Sequence, residues 1–257
     1  MDRLAFNASA AIAESRTAQH MVNNELANVS TPGFKRSFES AMVSVKAEGA
    51  GFASRIQPKS LNVDTIIMTA GIALIATGND LDIAMNDKAV LGVTGTDGTV
   101  GYTRRGDLRV SAKGILETGN GHAVLGQGGS PITIPPGFKA VINTDGAIYA
   151  DNPSNVGVAK PVLIDRLMLR DAEGINLSRR VDGLFGVEGQ PNGTEIPNTK
   201  ALLTVNPKCL EGSNVNALSV MVRLMDLSRS FEMNVNVIKQ SKDSDESGAT
   251  MMRNSWN

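Results

Sequence analysis

The chain is short of the residues that most often carry chemistry. It has one cysteine, Cys209, which excludes an intrachain disulfide, and only two histidines, His20 and His122. Those lie roughly a hundred residues apart with no paired-cysteine motif, so no zinc pattern can be read. Aromatic residues make up 4% of the chain, and no grouping of them forms the stacking platform that sugars or single strands require. A formal net charge of −1 removes the electrostatic case for nucleic acid. The longest apolar run, Ile66 to Ala76, is eleven residues broken by Thr69 and Gly71, too short to insert across a membrane. The opening Met1-Asp-Arg-Leu-Ala-Phe-Asn7 lacks the basic region and apolar core of a cleaved secretory signal. On the residues alone these absences point to the cytoplasm.

Catalytic and cofactor motifs are missing in the same way. The glycine cluster from Gly119 to Gly126 has the wrong spacing for a dinucleotide fingerprint, and Pro131 follows where a helix should begin. There is no glycine-flanked nucleophile elbow and no phosphate-binding loop. Asp64, Asp80, Asp82, Asp87 and Asp97 could be taken for a hydrolase or calcium cluster, but Asp80 and Asp82 alternate on an expected strand and Asp97 sits in a turn. We therefore expect no enzyme, no catalytic residue, no cofactor and no metal.

What the chain has is two long helical stripes at its ends. Near the C-terminus, steps of four and three from Ala217 give Met221, Leu224, Ser228, Phe231, Val235 and Ile238, a coiled-coil seam apolar at all but one position. Leu218, Val222 and Met225 widen that stripe, so one partner helix is not enough to cover it. Ser213 or Asn214 is expected to cap the start. From Asn214 to Gln240 the helix would run 27 residues, and Ala249 and Met252 extend the seam beyond charged Lys242 and Asp245. At the N-terminus Leu4, Ala8, Ala11, Ser15, Ala18 and Val22 follow the same spacing before the register slips to Leu26 and Val29. This narrow, alanine-rich face suits tight packing among helices.

The first helix should stop at Asn28-Val-Ser-Thr31-Pro32-Gly33-Phe34, because Pro32 drives Thr31 into an extended conformation and Gly33 permits a sharp turn. From Leu81 onwards the texture is short β-type runs, among them Val100 to Thr103, Val124-Leu125, Ile132-Thr-Ile134 and Pro161 to Arg170, punctuated by Asp97-Gly98, Asn120-Gly121, Pro136-Gly137 and Asp145-Gly146. The layout expected is therefore an N-terminal helix over 1–30, a hinge and extended connector over 31–80, a central β domain over 81–205, and a C-terminal helix with its tail over 206–257. The class is α+β: a mainly β centre whose long terminal helices pair as a coiled-coil-like core, since neither can bury its stripe alone.

Several strings also carry a family likeness. Leu26-Ala27-Asn28 followed by Ser30-Thr31-Pro32-Gly33-Phe34-Lys35 resembles the N-terminal signature of bacterial flagellar rod and hook proteins. Gly78-Asn-Asp-Leu81-Asp82, Tyr102-Thr103-Arg104-Arg-Gly106-Asp107, Gly114-Ile-Leu-Glu-Thr118 and Leu210-Glu211-Gly212-Ser213-Asn214 resemble its later signatures, in the same order. Their collinearity covers most of the chain. Length and the string Arg229-Ser-Phe231-Glu232-Met233 resemble the proximal-rod members more than the distal-rod ones, and a hook subunit would be longer. Glu25 departs from the family's usual asparagine, and Lys88-Ala-Val-Leu-Gly92 from its usual glycine and aromatic residues.

The resemblance implies a structural subunit of the proximal rod, polymerising into a periplasm-spanning drive shaft that transmits torque. It implies the two helices as the axial, subunit-contacting elements, and two hinge motifs, Asn28, Thr31, Pro32, Gly33 and Phe34 in one and Glu211, Gly212, Ser213 and Asn214 in the other. Its partners would be copies of itself, other rod subunits and the flagellar type III export apparatus, with neither nucleic acid nor membrane insertion. It also replaces the cytoplasmic expectation with the basal body, reached without a cleaved signal peptide. A distal-rod or hook-type subunit is the near rival. A β-rich enzyme or ligand-binding module closed by its terminal helices is the rival from another class.

Overall fold

Alanine-rich sequence with no proline or glycine before Asn28 gives one unbroken helix, α1 (Asp2–Ala27). On it Ala8, Ser15, Val22 and Glu25 are buried, a spacing that marks one face. The helix ends in a turn closed by the Thr31 N–H donating to the Asn28 carbonyl, with the Thr31 hydroxyl on Asn28 Oδ1. The computed structural model describes residues 2–37, 42–47, 55–60, 65–68, 71, 73–151, 161–198 and 203–254.

The C-terminal helix, α2 (Ala217–Asn254), has 38 residues, roughly 57 Å at about 1.5 Å per residue. It runs unbroken through the charged stretch whose conformation the seam pattern left open. There Lys242 pairs with Glu246 one turn on at 3.5 Å, and the Ser247 and Thr250 hydroxyls donate to carbonyls four residues back. The cap is not where the sequence suggested. Asn216 Oδ1 accepts from the Leu218 and Ser219 N–H groups at 3.0 and 3.2 Å, while Ser213 accepts from Val215 and Asn214 is engaged elsewhere. Asn216 is the third polar residue in that run, and only it stands next to the first helical residue.

By its contacts the chain forms two units, one of residues 1–27, 39–63 and 216–257, the other of 28–38 and 64–215. In the first, α1 packs along α2 and against a hairpin of β1 (Met42–Ala47) and β2 (Arg55–Ser60), paired from Met42 opposite Ser60 to Ala47 opposite Arg55. The Arg16 guanidinium lies 5.9 Å from the Phe231 ring centre. Within the stretch 31–80, expected as hinge and connector, the structure thus has a hairpin.

The second unit is β throughout. Its short strands are β3 (Leu74–Ala76), β4 (Ile83–Met85), β5 (Ala89–Thr94), β6 (Val100–Thr103), β7 (Leu108–Val110), β8 (Leu116–Thr118), β9 (Lys139–Ile142) and β10 (Ala147–Asp151), then β11 (Val162–Arg166), β12 (Leu169–Asp171), β13 (Leu177–Arg179), β14 (Phe185–Val187), β15 (Val205–Pro207) and β16 (Cys209–Glu211). They form a five-stranded sheet ordered β12-β5-β6-β14-β13, a three-stranded sheet β11-β10-β9, and the pairs β15-β4, β16-β3 and β7-β8. All these pairings are antiparallel.

The turn dipeptides punctuate as expected, and their glycines, Gly98, Gly121, Gly137 and Gly146, all have positive φ. Two expected strands do not form. Val124, Leu125, Ile132 and Ile134 are buried, but these segments join their neighbours only through isolated bridges. The main core gathers Ile83, Leu91, Val93, Leu116, Ile142 and Ile148 with others, and a second gathers Tyr102, Leu177, Phe185 and Ile196. The Lys88 to Gly92 departure is part of this architecture: Ala89, Val90 and Leu91 are fully buried on β5, while Lys88 is exposed.

Candidate functional site

The two hinge motifs, far apart in sequence, meet inside the β unit. The Gly33 N–H donates to the Glu211 carbonyl at 2.7 Å, and the Asn214 N–H to the Phe34 carbonyl at 3.2 Å. Asn214 then links three segments with its side-chain amide: Oδ1 accepts from the Arg36 N–H at 2.7 Å and Nδ2 donates to the Ile67 carbonyl at 3.1 Å. Gly33 has φ +67°, and a Cβ built on it would lie 2.1 Å from the Arg104 carbonyl oxygen. Only a residue without a side chain fits both the conformation and the gap. Phe34 is buried, with the Arg179 guanidinium 4.5 Å from its ring centre. That same guanidinium donates to the Lys35 carbonyl.

At the centre of this junction is an ion triad sealed from water. The side chains of Lys35, Arg104 and Glu211 are 1%, 3% and 4% exposed. Lys35 Nζ donates to Glu211 Oε1 at 2.6 Å, and the Gly71 N–H donates to the same oxygen at 2.9 Å. Arg104 Nε donates to Glu211 Oε2 at 2.8 Å. The rest of the guanidinium is spent on the carbonyls of Asp87, Ala89 and Met85, all within 2.8 Å. Both carboxylate oxygens are satisfied, as a buried charge requires.

The electrostatics follow from that geometry. Burial alone would raise the Glu211 carboxyl, but the Arg104 charge, the Lys35 hydrogen bond and charge, and the Gly71 N–H together hold it below its ordinary value. Burial lowers the Lys35 ammonium, with Arg104 adding to the effect and the Glu211 hydrogen bond and charge opposing it. Glu211 is therefore the firmly ionised member around which two cations are arranged.

The tyrosine-threonine-arginine string has the same logic. Tyr102 is buried and its hydroxyl accepts from the Ile196 N–H at 2.7 Å; Arg104 enters the triad. A Cβ on Gly106 would fall 1.7 Å from the Ile83 carbonyl, so the backbone passes there only because the side chain is missing. Neither Lys35 nor Arg104 was singled out by sequence reasoning, because a charge beside a turn reads as solvated. The available signal was two positive charges and one negative, each embedded in a separate motif.

The helical positions fall into two sets. On α1, Ala8 and Val22 are buried and Ala11, Ala18 and Leu26 half-buried; the Leu4 side chain lies outside the described set. On α2, Ala217, Leu224, Phe231, Val235 and Ile238 are half-buried, whereas Leu218, Met221, Val222 and Met225 stand 73%, 49%, 46% and 53% exposed. Met233, outside the seam, is 63% exposed. Val220, also outside it, is buried, at 3%. Among the described residues no group of three or more metal-ligating side chains comes together, and no helix is long and apolar enough to cross a membrane.

Comparison with known proteins adds the following. Residues 207–251 match the family described as flagellar basal body rod FlgEFG protein C-terminal, and residues 84–150 the one described as flagellar hook protein FlgE/F/G D1 domain. The chain is similar to the flagellar basal-body rod protein FlgF of Escherichia coli (strain K12), 35% identical over 248 residues and 95% of each chain. It is as similar to FlgF of Salmonella typhimurium, 35% identical over 257 residues and 98% of each chain. The flagellar basal-body rod protein FlgG of Bacillus subtilis (strain 168) is 26% identical over 249 residues, covering 89% of this chain and 90% of its own.

Proposed function

We propose a mode of assembly from the premise that the chain belongs to the flagellar basal-body rod protein family and is a structural subunit of the rod. The terminal helices are the axial elements, and they bury their apolar stripes against helices of neighbouring subunits in a coiled-coil-like core. The β unit forms an outer layer, and the hinge junction fixes where the chain passes between the two. The observation that carries this reading is the exposed row Leu218, Met221, Val222 and Met225 on α2, with Met233 further along. A contiguous apolar surface left open to water marks a place that a partner covers. Identity of 35% to FlgF against 26% to one FlgG supports the proximal-rod position, as does the Arg229 to Met233 string.

In this reading torque passes through packed helices, the partners are copies of the chain and other rod subunits, and the subunit reaches the periplasm through the type III export apparatus without a cleaved signal. Met225→Asp tests it. Because Met225 is half exposed, the charge leaves the purified monomer's melting temperature unchanged while abolishing incorporation into basal bodies and motility. A motile strain carrying Met225→Asp at normal rod occupancy would overturn the assignment of this face.

A further inference from the structure

One buried cation of the β unit lacks the counter-charge that Arg104 and Arg180 have. Arg104 is matched by Glu211, and Arg180 by Asp97 and Asp182, both at 3.0 Å. Arg170, on β12, is 7% exposed, yet among the described residues no carboxylate pairs with it. Its Nη1 donates to the Leu169 carbonyl at 3.2 Å, on its own strand, and its Nε, like that of Arg180, is sealed without an acceptor, so the missing carboxylate is what sets it apart. A guanidinium left so is strongly unfavourable and is retained where something else completes it.

What lies beside Arg170 is a cavity of about 180 Å³, lined also by Gln127, Asp145, Arg166, Asn198 and Leu203. Arg166 reaches Asp145 at 3.4 Å, a long pairing between two exposed side chains. Two arginines against one aspartate leave the lining one positive charge in excess. Leucines supply the apolar floor, and Gln127 and Asn198 supply amide donors.

We propose that this cavity is a docking site for a single carboxylate, the Asp or Glu side chain of an adjoining subunit in the rod, with Arg170 as its anchor. The charge excess matches one carboxylate, and the Asp145 carboxylate at the lining disfavours a doubly charged group such as phosphate. The apolar floor receives the methylenes of the incoming side chain. This proposal rests on the assembly reading above but concerns a different surface from the helices.

The test uses three variants, Arg170→Leu, Gln127→Glu and Gln127→Leu, read by thermal melting of the purified full chain and by abundance in basal bodies isolated from a complemented deletion strain. Arg170→Leu is expected to melt at or above the parent temperature and to be incorporated about tenfold less. Gln127→Glu adds a carboxylate to the lining and cancels its excess charge; it should raise the melting temperature by about 2–4 °C and lower incorporation similarly. Gln127→Leu, which adds no charge, should be incorporated as the parent is. Parental incorporation of both Arg170→Leu and Gln127→Glu would overturn the site. Should Arg170→Leu fail to fold, Gln127→Glu decides alone: a raised melting temperature with lost incorporation supports the site, and parental incorporation overturns it. Absence of the parent chain itself from basal bodies would instead sink the assembly reading, and this proposal with it.

Discussion

Lys35 and Glu211 form a 2.6 Å ion pair with almost no exposure, although 176 residues separate them in sequence. Arg104 holds the other carboxylate oxygen, so three segments of the β unit are fastened at one charge cluster. Each hinge motif supplies one member of the pair or its immediate neighbour, and the backbone bonds of Gly33 and Asn214 run beside it. The junction is thus held both by hydrogen-bonded backbone and by a carboxylate that no other group replaces.

Glu211→Gln should therefore be costly. It removes the one negative charge between two buried cations, and breaking a buried pair this way costs about 3–5 kcal/mol. Thermal melting of the purified chain should show the β unit losing roughly 6–20 °C. A shift of a degree or less would mean that the triad contributes nothing to folding.

The same carboxylate gives the β unit an acid-sensitive component. Glu211 has a folded value below its ordinary 4.5, so its contribution is complete above that pH and is lost as pH falls through the folded value. Lys35 runs the other way: its folded value is below its ordinary 10.5, so burying the ammonium costs stability at neutral pH, and that cost fades as pH rises towards 10.5. Urea unfolding from about pH 7 to about pH 3 should show a falling midpoint for the parent and a flatter one for Glu211→Gln. Parallel curves would show that another carboxylate dominates acid unfolding.

Gly33→Ala and Gly98→Ala separate conformation from crowding. Both glycines have positive φ, but a Cβ on Gly98 would meet nothing within 4 Å, whereas one on Gly33 would strike the Arg104 carbonyl. Gly98→Ala should cost about 1–2 kcal/mol for its backbone alone, and Gly33→Ala clearly more. Equal losses in chemical denaturation would mean that the junction yields to accommodate a methyl group.

Asn216→Ala should loosen the start of α2 by about 0.5–2 kcal/mol, since two N–H groups lose their acceptor. Circular dichroism would report an earlier loss of helix on heating. Asn214→Ala should instead weaken the β unit, because Asn214 bonds to Arg36 and Ile67 rather than to the helix. If Asn214→Ala proved the more damaging to helicity, the capping assignment would be reversed.

What could be read from the sequence was what is local. Asp145-Gly146 announces the β9–β10 turn because four neighbouring residues determine it, and the alternation around Val100 to Thr103 marks β6 for the same reason. By contrast β15 and β16 are three-residue pieces, Val205-Asn-Pro and Cys209-Leu-Glu, whose partners β4 and β3 lie in the first third of the chain. Nothing near them in sequence signals that pairing. The hinge motifs were legible as turns and as family strings, but not as the two halves of one junction. Lys35 and Arg104 were overlooked because isolated charges are solvated in most proteins, and only their shared carboxylate makes them otherwise. Arg170 was hidden for the converse reason, as a charge on an expected strand end with no partner to reveal it.

The span between Lys35 and Glu211 also has a consequence for the order of events along the chain. Bringing together residues 176 positions apart carries a chain entropy penalty of roughly 4–5 kcal/mol on the (3/2)RT ln n scale. That penalty is met by the β unit when its own strands and triad form. The stretches that lead from the junction to the helices, before Gly33 on one side and after Asn214 on the other, then start from neighbouring points. For the helices α1 and α2 the intervening chain has become a short tether, so the β unit converts the most distant pairing in the sequence into a nearly local one. The middle could grow or shrink without changing that tether, provided Lys35, Arg104 and Glu211 still meet.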